Sequence, residues 1–474
     1  MIKTNDIATK RVFEIFEEIS LIPRGSGDME KIADFCENFA KKNGLRYIRD
    51  KANNVVIFKE ATKGYEMSQP IILQGHLDMV CQSEGEFDFL NNGLEIYTDG
   101  DFVKARGTTL GADNGIAVSY ILSILESNEI SHPKIEAVFT TDEEIGLLGA
   151  TALDKSILTA KKMINLDSEE EDILTVSCAG GSDFAINAPL SFEKVKGTKV
   201  KLTIKGLKGG HSGVEIHKGR VNSNMLAGRV LNLLENFDLI SIDGGNKSNA
   251  IPNSSVIEFC VKDANSFIEE AEKHLNIIKS EISAREEDFC FEIETLETDE
   301  FNVIERKLRD DIIYLLTTAP NGIVDMSAEI EGLVETSLNL GILKTEGDNL
   351  YLHFALRSNK ASALLYLEKK LERFSKCIEC KTESFGFYPP WEFKDNSSLQ
   401  ALYKKCFREE FGYETKVEAI HAGLECSVFA SLEDFDCISI GPSLFDVHTV
   451  KEKMSIPSAE RMYKLLLRIL RESK

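Results

Sequence analysis

Five side chains in this 474-residue sequence, His76, Asp113, Glu144, Asp167 and His448, are acids or imidazoles at the ends of apolar runs or in tight turns. Two imidazoles with three carboxylates suit a borderline cation such as zinc, and two such ions would need to share a carboxylate. Asp113, in the turn GADNG directly before an apolar helical pattern, is the candidate bridge between ions about 3.5–4 Å apart. The same position also suits an N-cap for that helix.

His76 and Asp78 in QGHLDMV are two residues apart at a strand end, so both point to one side. Asp78 can then hold the far ring nitrogen of a metal-binding His76; a plain histidine–aspartate hydrogen bond is the other reading. Glu143 and Glu144 in FTTDEEIGLLGA are adjacent carboxylates that repel unless a positive charge compensates. They can divide into Glu144 on a metal and Glu143 accepting a proton from water, or form a solvated acidic turn. Asp167 in MINLDSEEED repeats the strand-end pattern, and the acidic run from Glu169 to Asp172 reads as a solvated face. His211, after two glycines in KGGHSG, can donate a hydrogen bond to a developing oxyanion. Arg357 in LHFALRSN can clamp a carboxylate in a two-pronged bond or form a surface salt bridge.

The elements that must position these residues alternate over the first 180 residues. VFEIFEEISLIP and ADNGIAVSYILSILES have helical spacing, whereas VVIFKE, PIILQGH, IEAVFTTDEE and KMINLDSEE are apolar runs that end in polar residues. This predicts an α/β fold with a mostly parallel sheet, whose ligands sit beyond the carboxyl ends of its strands. From about residue 182 the texture becomes α+β. Strands and helices there suggest two related units on one antiparallel sheet, with helices near 301–317 and 361–375. The α/β texture resumes at about 389. The expected organisation is a catalytic domain in two parts, 1–181 and 389–474, with a lid domain, 182–388, inserted between them.

The balance of 55 basic and 78 acidic residues gives a formal charge of −23, which argues against a nucleic-acid partner. No run approaches the roughly 18 apolar residues of a membrane span, and MIKTNDIATKRVFEIFEEIS reads as an amphipathic helix rather than a signal peptide. The chain reads as cytoplasmic, with no membrane partner. Its ten cysteines read as reduced thiols. Cys377 and Cys380 are expected to be two semi-buried thiols at a helix end, with a redox or zinc pair as the alternative.

Nine segments in order, QGHLDMV, GTTLGADNGIAV, TTDEEIGLLGA, NLDSEEED, VSCAGG, GGHSGVEIHKGR, NAIP, HAGLEC and GPSLFDVHT, resemble the M20 metallopeptidase family, and within it the branch of Xaa-His dipeptidases. The resemblance spans the chain. It implies a di-zinc catalytic domain and a lid carrying substrate contacts, with manganese or cobalt able to replace zinc. His76, Asp113 and Asp167 would hold one ion, and Asp113, Glu144 and His448 the other. Asp78 would orient His76, Glu143 would be the general base, and the Asp113–Asn114 peptide would be cis. His211 would stabilise the tetrahedral intermediate, from its own chain or across a homodimer. Asn249, Arg357 and Gly423 would receive the terminal carboxylate and backbone of a short peptide. The implied reaction is hydrolysis of unblocked dipeptides, of Xaa-His type and broader. The alternatives are a tripeptidase or an N-acyl amino-acid deacylase using the same metals, and a non-catalytic peptide-binding protein on the same fold. Two places depart from the branch: TVKEKM after His448, and Ser427, where glycine is common.

Overall fold

In the computed structural model, which describes residues 2, 4 and 6–474, the apolar runs before His76 and Glu143 are strands, Ile71–His76 and Ile135–Thr140. They pair in parallel and every residue of both is buried, as expected of central strands covered on two faces. Lys162–Asn165 pairs in parallel with Ile71–His76, and Asp436–Ser439 in parallel with Lys162–Asn165. These four form the middle of an eight-stranded sheet. Arg46–Arg49 and Val55–Lys59 extend one side through antiparallel pairs; Ile173–Cys178 and Lys416–Ile420 complete the other. The unit containing this sheet comprises residues up to Cys178, Phe393–Ala419 and Leu424–Lys474.

The helix Ala112–Glu126 is buried on nearly all sides, because it packs on both the Ile71–His76 strand and the helix Ile7–Ser20. The closing helix Ile456–Glu472 starts cleanly, with Ser455 accepting from the Ser458 N–H and a proline in its first turn. It is pinned to Ala112–Glu126 by stacked Tyr120 and Tyr463 rings, 5.4 Å apart, and by a Tyr120 hydroxyl donated to the Ala459 carbonyl at 2.7 Å. The amphipathic helix expected at the very start is Ile7–Ser20; Met1, Lys3 and Asn5 lie outside the described residues.

The second unit, Ala179–Glu392 with Ile420–Gly423, is built on one antiparallel sheet. Cys290–Ile304, Phe192–Lys205, Ser255–Val261 and Phe237–Gly244 form one half. Val334–Glu346, Asn349–Ser358, Gly180–Pro189 and Lys381–Tyr388 form the other, and the halves join through the pair Gly244–Leu343. The helices covering it are amphipathic at helical spacing: Ala264–Ile282 buries Phe267, Ala271, Leu275, Ile278 and Ile282, and Ala361–Phe374 buries Leu364, Leu367 and Leu371.

Two expectations change. The helix predicted near 301–317 is Arg306–Thr318, because residues 301–304 finish a strand whose Val303 and Ile304 are buried by pairing with the start of Phe192–Lys205. Long-range pairing overrides the local pattern there. Within the acidic run after Asp167, Glu171 is buried in a two-pronged pair with Arg461, at 2.5 and 2.7 Å, and is not part of a solvated face. Among the described residues the ten cysteines are free, with Cys377 and Cys380 half-buried, and no helix is long and apolar enough to cross a membrane.

Candidate active site

The parallel strands end where their apolar residues end, and the chemistry sits just beyond. His76 is the last residue of its strand; Glu143 and Glu144 follow Ile135–Thr140, and Asp167 follows Lys162–Asn165. His76 is fully buried, with Nε2 3.1 Å from Asp113 Oδ1 and 3.4 Å from Asp167 Oδ1. His448 Nε2 lies 3.1 Å from the other Asp113 oxygen, Oδ2, and 3.0 Å from Glu144 Oε1. Asp113 therefore offers one oxygen to each imidazole.

Asp113 has backbone angles outside the helical range, and the N-cap position of the helix is Gly111, with no side-chain cap. The two oxygens of Asp113 face His76 and His448, and among the described residues neither accepts from a backbone N–H, so the side chain does not cap the helix. The Asp113–Asn114 peptide is cis. Asp78 faces the second nitrogen of His76 at 3.3 Å and also accepts from Ser26 Oγ and from the Glu143 and Glu144 N–H groups. One carboxylate thus orients both the imidazole and the backbone of the acidic pair.

The electrostatics follow from this crowding. Burial disfavours a charged imidazole at His76, yet Asp167 and Asp113 outweigh it and hold the group well above the usual histidine value. The bonds from Asp113 and Glu144 push His448 up to about 11. Burial opposes ionisation of Asp113, but His448 and His76 together hold its carboxyl below the usual range. Burial, reinforced by Asp167 and Glu144 against the opposing His76, pushes the Glu143 carboxyl well above the usual glutamate range. Burial raises Asp167 to about 6.

The donor atoms fit cations. His76, Asp113 and Asp167 form one group, and Asp113, Glu144 and His448 another, with the ligand atoms of each within 4.8 Å of one another. His76, Glu143 and Glu144 form a third. Imidazole nitrogen with carboxylate oxygen is a donor set for zinc and its first-row neighbours, and the excess of carboxylates over imidazoles favours positive charge.

In the second unit, His211 Nδ1 accepts from the Gly213 and Val214 N–H groups at 3.1 and 3.2 Å, so its proton sits on Nε2 and is available for donation. Burial and the neighbouring Arg357 cation lower His211 to about 4, which keeps it neutral at pH 7. Arg357 Nη1 donates to Tyr388 Oη at 2.8 Å, and its Nε is buried without a partner. It makes no ion pair among the described residues, which removes the salt-bridge alternative. Gly423 lies against the Tyr388 ring. Asn249 is exposed, and its carbonyl accepts from the Ser212 N–H, beside His211.

A family model described as peptidase family M20/M25/M40 matches residues 72–472. The chain belongs to that family. It is 37% identical to the cytosol non-specific dipeptidase of Escherichia coli (strain K12), an alignment covering 100% of this chain and 99% of that protein. Among solved structures it is similar to the aminoacylhistidine dipeptidase from Vibrio alginolyticus, with TM-score 0.87, 33% identity and coverage of 99% and 98% of the two chains. Aminopeptidase PepT from Bacillus cereus ATCC 10987, at 15% identity and TM-score 0.58 with 98% of each chain covered, shares the fold.

Several residues that support this M20 site escaped the sequence reading. Glu452 is buried and accepts four successive backbone N–H groups, those of Leu110, Gly111, Ala112 and Asp113. Arg24, also buried, donates to the carbonyls of Gly111, Leu77 and Asp78. The turn that presents Asp113 is thereby gripped by an anion on its N–H groups and a cation that ties it to the His76–Asp78 strand end. Asn114 donates to Asp167 Oδ1 at 2.7 Å and accepts from the His76 N–H at 3.2 Å. Beneath them, buried Gln74, Thr140, Asn165 and Glu425 form one hydrogen-bonded layer across three ligand-bearing strands. Burial raises the Glu425 carboxyl to about 8. Glu452 lies in the very stretch, TVKEKM, that departs from the branch pattern.

Proposed function

We propose that this M20 peptidase hydrolyses unblocked dipeptides, of Xaa-His type and broader, at a centre holding two divalent cations, with zinc the best match to the donors and manganese or cobalt able to replace it. The observation that carries the reading is Asp113 placed between two imidazoles, with Glu143 beside them, in a chain 37% identical end to end to a dipeptidase. His76, Asp113 and Asp167 would hold one ion, and Asp113, Glu144 and His448 the other. When bound, the ions supply Lewis acidity, which lowers the pKa of water and polarises a carbonyl.

The chain's own residues do the rest. Glu143 takes a proton from the attacking water and delivers it to the leaving amine as the C–N bond breaks. A carboxyl whose affinity for protons is raised by its surroundings suits both steps. The Nε2–H of His211 donates to the developing oxyanion, and Arg357 receives the terminal carboxylate in a two-pronged bond. Asn249 and Gly423 contact the substrate backbone. The relative named for the cytosol supports a cytoplasmic setting.

Hydrolysis of β-Ala-His, Gly-His, Leu-Gly, Gly-Gly-Gly and N-acetyl-Leu by metal-free protein titrated with zinc tests this. Cleavage of the unblocked dipeptides alone, saturating at two ions per chain, is the expected result. Activity confined to the tripeptide or the acetylated substrate would keep the metal centre and overturn the specificity. Tight metal binding with no cleavage would point to a binding role.

Metal affinity is expected to depend on pH. In the metal-free protein His76 and His448 both carry protons at neutral pH, which must leave before the ring nitrogens can bind a cation. Raising the pH removes the competitor, so apparent affinity should rise about tenfold per pH unit for each proton displaced. Calorimetric zinc titrations at pH 6 and 8, in buffers of different ionisation heat, measure this directly; a pH-independent affinity without proton release contradicts it.

A further inference from the structure

Arg357, Gly181 and Tyr388 form a row across three adjacent strands. Arg357 is opposite Gly181 in the ladder joining Asn349–Ser358 to Gly180–Pro189, and Gly181 is opposite Tyr388 in the ladder joining Gly180–Pro189 to Lys381–Tyr388. A register shift between Phe385 and Tyr388 sets the last of these pairings, the kind of irregularity that re-aims a side chain. Residues directly opposite one another share a face of the sheet. The row therefore presents a guanidinium, a bare backbone and a phenol side by side.

The bare position is what connects the other two. A Cβ added at Gly181 would lie 2.6 Å from Tyr388 Oη and 2.7 Å from Cζ, far inside van der Waals contact. Without it the ring crosses the middle strand and its hydroxyl ends 2.8 Å from Arg357 Nη1, although strands two apart are separated by about 9–10 Å. A second glycine also faces the ring: a Cβ at Gly423 would lie 3.0 Å from Tyr388 Cε2. Two segments singled out in the sequence, VSCAGG and HAGLEC, thus meet the same aromatic ring.

The bond also settles which edge of the guanidinium is committed. Nη1 is held by the phenol, while Nε is buried with no hydrogen-bond partner. The edge formed by Nε and Nη2 is left for a two-pronged bond to a carboxylate, the geometry for which arginine is suited.

We infer that Tyr388 is a positioning residue for substrate specificity: it fixes Arg357 through Nη1 so that the Nε–Nη2 edge meets the terminal carboxylate of the peptide, and Gly181 and Gly423 keep the path of its ring open. This rests on the dipeptidase reading above. It gives Gly423 the task of accommodating Tyr388, in addition to any contact with substrate backbone.

The experiment compares the metal-loaded wild type with Tyr388→Phe, Gly181→Ala and Arg357→Lys, measuring KM and kcat for a dipeptide and the inhibition constant of the matching dipeptide amide. Tyr388→Phe removes a single oxygen, so it tests the inference even where Gly181→Ala is poorly folded. The expected result is a rise of about tenfold in KM for the free acid with kcat within about twofold, from loss of one bond to a charged group. Inhibition by the amide should be unchanged, and Tyr388→Phe should add little in the Arg357→Lys background, since the two act as one unit. A wild type that cleaves no dipeptide overturns the reading beneath the inference and the inference with it. A wild type that cleaves dipeptides, with Tyr388→Phe leaving KM unchanged, weakening acid and amide equally or adding fully to Arg357→Lys, overturns the inference alone.

Discussion

Glu143→Gln is expected to lower kcat by about 10²–10⁴-fold, the range for loss of a positioned general base, while two ions remain bound per chain. The amide has the shape of the carboxyl but cannot accept a proton at working pH. Its backbone stays in place, because the Glu143 N–H is held by Asp78 rather than by its own side chain. The test is sharp because Glu143 also falls in a cluster with His76 and Glu144 that could itself hold a cation. Metal content measured beside kcat separates the roles. Loss of an ion in the variant would make Glu143 a ligand, and a kcat within tenfold of wild type would remove it from the chemistry.

The second large effect is expected at Asp113. Each of its oxygens faces a different imidazole, so an amide at this position can serve one side as an acceptor but presents an NH₂ group to the other. Asp113→Asn should weaken binding of at least one ion by more than about 100-fold, since even outer-shell partners of metal ligands are worth 10–100-fold. Activity should fall with the lost ion. The proton affinity of His448 and His76 should fall as well, because both imidazoles lose an anionic neighbour; ring-proton titration of the metal-free variant by NMR would register it. Two ions bound with wild-type affinity would show that Asp113 is not shared.

The two predictions differ in how far they were legible. Glu143 is marked in the sequence by an adjacent acid at the end of an apolar strand, a pair that repels unless a positive charge compensates or the turn is solvated. Asp113 alone was ambiguous, because a carboxylate before a helix is also what an N-cap looks like. The ambiguity ended with the partners of its side chain: both oxygens face imidazoles, and neither takes a backbone N–H among the described residues. His211 and Arg357 were likewise visible as residue types, but the tautomer of the one and the committed edge of the other depend on the Gly213 and Val214 N–H groups and on Tyr388.

What the sequence by itself determined was the location of the chemistry. Apolar runs such as IILQGH and IEAVFT must be buried strands, and the polar residues that follow them must emerge at one edge of a parallel sheet, whatever the details of the fold. His76, Asp78, Glu143, Glu144 and Asp167 were brought together by that rule. Only the tertiary structure decided how the site is held: Glu452 on four backbone N–H groups of the Asp113 turn, Arg24 on three backbone carbonyls, and Tyr388 reaching Arg357 over a glycine in the strand between. The reason is physical. A strand end is a local property written in side-chain polarity, whereas these supports bind main-chain atoms or fill the space left by a missing side chain. Backbone N–H and C=O groups are nearly the same at every residue, so nothing in the sequence shows where one will be met.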